Sequence, residues 1–204
     1  MLHLPGLYAI LDAFYFDGSD ACIRAAEQMA KAGITLFQYR NKTGNARQIL
    51  DEARELKRRL PSSVKLIMND RADLCVAAGF DGVHLGQDDL SPDAARKVIG
   101  DDLWLGLSTH NPDQVATADK TSADYIAIGP VFGTASKVNP DPVIGLEGVR
   151  LARGFTRKPL VAIGGISRAN CRSVIEAGAD AVAVISDLCR DPGKSAEEFL
   201  AILR

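Results

Sequence analysis

KLIMNDRADLCVAAGFDGVHLGQDDL, residues 65 to 90, holds the reading on which the fold turns. Two short apolar runs, KLIM (65 to 68) and GVHL (82 to 85), flank a stretch of helical length, with no hairpin signal between them. Strands joined through a helix pair in parallel, because only a crossover connection brings the chain back to start in the same direction. Both runs end on polar residues, Asn69 and Asp70 after the first and Gln87 to Asp89 after the second. The same unit repeats along the chain: LYAIL (7 to 11), ITLFQ (34 to 38), WLGL (104 to 107), DYIAIG (124 to 129), LVAIG (160 to 164) and AVAVI (181 to 185) complete a set of eight.

Helix signals fill the gaps. Ile49, Leu50, Ala53 and Leu56 recur at helical spacing, with Glu55 four residues before Arg59 on the polar side. Ser91-Pro92-Asp93 and Asn111-Pro112-Asp113 each read as an N-cap, a Pro in the first turn and a helix-starting acid. Ser195 with Glu198 predicts a capping box on a last helix, and Ser167 predicts the cap of the helix after IGGIS. Eight such units of roughly 25 residues predict an α/β fold, a single parallel (β/α)8 TIM barrel over residues 1 to 204, with an open doubly wound sheet as the competing arrangement.

Composition narrows the function. With 47% hydrophobic residues the chain buries a substantial core, and a net charge of −2 offers no footprint for nucleic acid. No stretch approaches the length of a membrane span, and no basic leader precedes the first apolar run, so a cytoplasmic protein is expected. Cys22, Cys75, Cys171 and Cys189 form no CxxC pair and read as ordinary thiols in a reducing compartment. A homo-oligomer is left open.

In barrels of this kind the chemistry sits at the carboxyl ends of the strands. There FQYRNK (37 to 42) places Gln38, Arg40 and Lys42 at alternate positions, on the face that begins with Ile34 and Leu36. An apolar strand face that ends in two cations and an amide calls for an anion. The paired glycines of IGGIS (163 to 167) and the strand end VIS (184 to 186) lie after strands seven and eight, where backbone N–H groups can hold a phosphate. Asp70 and Asp89 end neighbouring strands and suit Mg2+, although Asp70 is also placed to cap helix three and Asp88 to Asp89 to form a solvated loop. Metal and cations, Lys137 of GPVFGTASK included, imply a diphosphate beside the separate monophosphate. At the fifth strand end Ser108 is better placed than His110 to touch substrate.

QYRNK, IMNDRADL, DGVHLGQDDL, GLSTH, ADYIAIGPVFGTASK, PVIGLEGV, AIGGI and AVAVIS, in this order and spacing, resemble the thiamine-phosphate synthase family across essentially the whole chain. The resemblance implies a TIM barrel that joins hydroxymethylpyrimidine diphosphate to a thiazole phosphate, releasing diphosphate and giving thiamine monophosphate. It implies that Gln38, Tyr39, Arg40, Asn41 and Lys42, with Asn69, Ser108 and Lys137, bind the pyrimidine diphosphate. Arg40, Lys42, Ser108 and Lys137 are the implied catalytic groups, and Asp70 and Asp89 the implied Mg2+ ligands. Thr134, Ala135, Ser136, Gly164, Ile185 and Ser186 would hold the thiazole phosphate. Here the segment before Lys137 reads Gly133-Thr134-Ala135-Ser136, where the family commonly has Pro-Thr-x-Thr; Ser136 keeps a hydroxyl but the loop loses the stiffness of Pro. Two rivals remain, a thiazole tautomerase on a similar barrel and a non-catalytic protein that binds thiazole or thiamine phosphates. Retention of Arg40, Lys42, Asp70, Asp89 and Lys137 argues against the first, since tautomerisation gives those charges no task.

Overall fold

The computed structural model describes residues 2 to 134 and 141 to 204. Its strands are β1 (Leu7–Asp12), β2 (Leu36–Arg40), β3 (Lys65–Asn69), β4 (Gly82–Leu85), β5 (Trp104–Thr109), β6 (Tyr125–Ile128), β7 (Leu160–Ile163) and β8 (Ala181–Val184). They pair in parallel in chain order, and β8 returns to β1 to close the barrel, which excludes the open sheet. Outside them run α1 (Ser19–Lys31), α2 (Ala46–Arg59), α3 (Ala72–Ala78), α4 (Pro92–Ile99), α5 (Pro112–Asp119), α6 (Gly145–Phe155), α7 (Cys171–Glu176), α8 (Ser186–Cys189) and α9 (Pro192–Leu203). Among the described residues no helix is long and apolar enough to cross a membrane.

Alternation along each strand divides the core in two. Outward residues such as Leu7, Ala9 and Leu11 pack against the helix ring, which contributes Ile49, Ala53 and Leu56 from α2 and Met29 from α1. Inward residues Tyr8, Ile10, Leu36, Ile67, Tyr125 and Val161 fill the lumen. At the carboxyl ends this inward set turns polar, and that change makes the site. The four cysteines are free thiols; burial raises the pKa of each, with Cys22 and Cys75 pushed up to about 12.

Ser91 and Asn111 cap α4 and α5 as their sequences predict, accepting from the backbone N–H groups of Ala94 and Gln114. Three expectations need correction. The second strand starts at Leu36 rather than Ile34, so Ile34 belongs to the outer core and only Leu36, Gln38 and Arg40 share the inward face. The last helix starts at Pro192, ahead of Ser195, which is buried inside it, while Glu198 pairs with Arg168; no capping box forms there. Ser167 does not cap α7. Its carbonyl accepts from the N–H groups of Asn170 and Cys171, closing a turn one step ahead of the helix.

Candidate active site

A cavity of about 740 Å3 opens at the carboxyl ends of the strands. One wall comes from β2 and β3. Strand register sets Asp12 opposite Arg40, both inward, and the Arg40 guanidinium donates to the buried Asp12 carboxylate. That carboxylate also accepts from the Phe14 N–H, at 3.1 Å, so Asp12 is fixed from two sides and aims the guanidinium at the cavity. Lys42 lies beyond the strand end, and its ammonium donates to Asp70.

Asp70 has φ of 60°, a left-handed conformation uncommon outside glycine. Its backbone N–H donates to the His84 carbonyl at 2.8 Å, which ties the strained residue to β4. It caps nothing: Arg71 stands at the N-cap of α3 and makes no side-chain cap bond. Asp89 is held by the Gly86 N–H at 2.7 Å. Burial raises its pKa above the ordinary carboxylate range; the Gly86 bond opposes this, while the hydrogen bond and charge of Asp70 add to it and Lys42 offsets part. Two carboxylates within reach of each other repel unless a cation sits between them. Among the described residues no group of three or more His, Cys, Asp or Glu converges as a metal cage. A pair of hard oxygen donors open to a cavity fits Mg2+, a cation that one or two carboxylates commonly hold.

The floor is a hydrogen-bonded layer inside the lumen. His84 stacks on Tyr125, ring centroids 5.5 Å apart, and its two ring nitrogens meet the Tyr125 hydroxyl at 3.0 Å and the Ser108 hydroxyl at 2.9 Å. Strand register explains how both rings fit. Gly106 pairs with His84 on one side and Tyr125 on the other, and a Cβ there would lie 2.1 Å from the Tyr125 ring and 2.5 Å from the imidazole.

Burial lowers the His84 pKa to about 4, the Asp89 charge opposing, so the folded protein carries a neutral ring. The unfolded chain therefore takes up the proton first as pH falls below about 6.5, and about 3 kcal/mol of stability should be lost by pH 4. Urea unfolding at pH 7 and pH 4 measures this. The acid loss should shrink by that amount in His84→Gln; an identical loss in both proteins would assign it to other groups.

The opposite wall belongs to β7 and β8. Gly164 has φ of 100°, and a Cβ on it would lie 2.5 Å from the Pro130 side chain, so only glycine lets the turn pass this close. Ile185 and Ser186 start α8, the short extra helix that the strand pattern does not announce. Its Asp187 accepts from the Arg168 backbone and side chain, which locks α8 to the β7 loop.

Gln38, Arg40, Lys42, Asn69, Asp70, Asp89, Ser108, Thr134, Gly164, Ile185 and Ser186 thus line one cavity. Tyr39 and Asn41 do not. Tyr39 falls on the outward face of β2 and Asn41 just past its end, where both bond Glu52 of α2, and Asn41 also accepts from the Gly44 N–H at 2.8 Å. Ala135, Ser136 and Lys137 lie outside the described residues. His84 and Arg190 join the lining without having been selected from the sequence, and His110, ranked behind Ser108 there, lines it too. His84 sits within an apolar run that reads as core, and Arg190 follows a helix only four residues long.

A closed parallel barrel with its polar cavity at the strand carboxyl ends is the architecture of a TIM-barrel enzyme. The family model described as thiamine monophosphate synthase matches residues 7–188. A thiamine-phosphate synthase of Koribacter versatilis is 60% identical over 205 residues, covering 99% of this chain and 97% of that protein. One from Chloroflexus aurantiacus is 44% identical over 185 residues, 88% of this chain and 83% of its own. The solved thiamine phosphate pyrophosphorylase of Pyrococcus furiosus superposes with a TM-score of 0.86 at 29% identity, covering 97% of this chain and 95% of its own. The chain belongs to the thiamine monophosphate synthase family and is an enzyme, a transferase of thiamine biosynthesis.

Proposed function

We propose that this enzyme catalyses the Mg2+-dependent joining of hydroxymethylpyrimidine diphosphate to a thiazole phosphate, with or without its carboxylate, giving thiamine monophosphate and diphosphate. The observation that carries the reading is a single cavity with two unlike anion-suited ends, Arg40, Lys42, Asp70 and Asp89 on one wall and Gly164, Ile185 and Ser186 on the other. In this reaction the bond between the pyrimidine methylene and the diphosphate oxygen breaks first, its electron pair leaving with the oxygen. The thiazole nitrogen then forms the new C–N bond with its lone pair, and a thiazole that carries the carboxylate loses it as CO2, the electron pair of that C–C bond staying on the ring carbon.

Arg40 and Lys42 bind the diphosphate and stabilise the charge that grows on it, an effect strongest when donors are fixed beforehand, as Asp12 fixes Arg40. Gln38, Asn69 and Ser108 orient the pyrimidine half. Asp70 and Asp89 would hold Mg2+, which supplies further neutralisation of the leaving group. Gly164, Ile185 and Ser186, with Thr134, hold the thiazole phosphate; Ala135 and Ser136 are assigned to the same phosphate, and Lys137 to the diphosphate, on the resemblance of their sequence alone. The tautomerase alternative leaves the cationic wall without a task, and a binding-only protein does not require a leaving-group site.

The test is a coupled assay for thiamine monophosphate and diphosphate from both phosphorylated halves. Product should form with Mg2+ and both substrates, and from neither half alone. Tight binding without product would favour the binding-only reading, and conversion of the thiazole alone the tautomerase.

A further inference from the structure

Gln38 and Ser108 stand on β2 and β5, and a chain of side chains through the lumen joins them. The Gln38 amide N–H donates to the Tyr8 hydroxyl at 3.1 Å. Tyr8 meets the Tyr125 hydroxyl at 3.1 Å, Tyr125 meets His84 Nδ1 at 3.0 Å, and His84 Nε2 meets Ser108 Oγ at 2.9 Å. Tyr8, Gln38, His84 and Tyr125 are buried, and among the described residues no buried side-chain polar atom lacks a partner.

Each hydroxyl has one proton, and a neutral imidazole has one N–H. Because Gln38 donates to Tyr8, the Tyr8 proton goes to Tyr125 and the Tyr125 proton to His84 Nδ1. His84 then carries its hydrogen on Nε2 and donates to Ser108. The Ser108 proton is not needed inside the barrel and faces the cavity. The reverse direction is closed only if Gln38 turns its carbonyl inward, and Ser108 would then present a lone pair. The orientation of the Gln38 amide and the polarity of Ser108 are therefore one variable, not two.

We propose that Tyr8, Tyr125 and His84 form a directional relay that sets Gln38 as an acceptor and Ser108 as a donor toward the cavity, with His84 as the positioning residue. The relay rests on the reaction proposed above for its use: a fixed donor at Ser108 meets a substrate atom bearing a lone pair, such as a diphosphate oxygen, and a fixed acceptor at Gln38 meets a substrate N–H. Ser108 is accordingly no nucleophile activated by histidine, since the hydrogen in that contact belongs to the ring. Preorganised polarity of this kind costs no reorganisation when substrate arrives. Cooperative chains of hydrogen bonds also resist local reversal.

The experiment has a structural and a kinetic arm. NMR of the ligand-free protein with 15N- and 13C-labelled histidine, the His84 signals assigned by their loss in His84→Gln, should show the Nε2–H tautomer at neutral pH. An Nδ1–H form would overturn the relay direction. In the kinetic arm, His84→Phe should lower kcat about 10-fold with KM within about twofold, a loss the size of one hydrogen bond. In a Ser108→Ala background the same change should cost less than about twofold, because both act through one contact. His84→Gln, whose amide can donate to Ser108, should recover much of the loss and serves if His84→Phe fails to fold. Additive losses, or no difference between the Gln and Phe variants, would overturn the positioning role. Absence of turnover in the wild-type protein would count against the reaction instead, and the tautomer would still judge the relay.

Discussion

Asp89→Asn should raise the Mg2+ concentration needed for half-maximal rate and lower the saturated rate about 100-fold or more, a loss typical of removing a charge-stabilising group from a leaving-group site. Asp88→Asn should stay within about twofold of wild type. The two acids are neighbours in sequence but not in environment. Both are exposed and both line the cavity, but it is Asp89 that is clasped by the Gly86 N–H and faces Asp70. Asparagine keeps the shape of Asp89 and removes the charge that would make its oxygen a good Mg2+ ligand. Initial rates across a Mg2+ titration separate the outcomes. A crippled Asp88→Asn would shift the metal site by one residue, and two unimpaired variants would remove it. Melting curves give a readout free of catalysis: Mg2+ should raise the melting temperature of the wild type through linkage and leave Asp89→Asn unmoved.

Gly164→Ala should destabilise the protein by about 3 kcal/mol, from left-handed backbone strain of about 1–2 kcal/mol and overpacking of about 1–3 kcal/mol. The added Cβ would meet the Pro130 Cα, a backbone atom, at 2.6 Å, so no side-chain rotation relieves it. Gly133→Ala is the matched control, since its Cβ would enter open space. Denaturation midpoints test the pair. A shift confined to Gly164→Ala supports the close turn, and equal shifts would mean that loop flexibility, not collision, sets the cost. Any folded Gly164→Ala enzyme should show a raised KM for the thiazole phosphate.

The barrel was legible because its signal is local. Each strand is a short apolar run, each helix has its own spacing, and the Pro-Asp starts of α4 and α5 carry their caps beside them. Where local signals competed, neighbours in space decided. Ser195 has the spacing of a capping residue, but packing places it inside α9 and gives Glu198 to Arg168. Tyr39 and Asn41 sit between residues that line the cavity, yet strand alternation turns them toward Glu52.

The amino-acid sequence by itself determined the repeated strand and helix pattern, the carboxyl-end position of the polar residues, and the cationic character of the β2 end, because each depends on residues within one strand-helix unit. Only the tertiary structure decided that Asp12 aims Arg40, that Asp70 and Asp89 crowd each other, and that Gln38 is joined to Ser108 through two tyrosines and a histidine. Those are contacts between strands or the loops that follow them, and their partners lie as far as 117 positions apart in the chain. Closure of the barrel brings the inward residues of its strands into one lumen, where a side chain's role is fixed by the register of strands that the linear pattern does not specify.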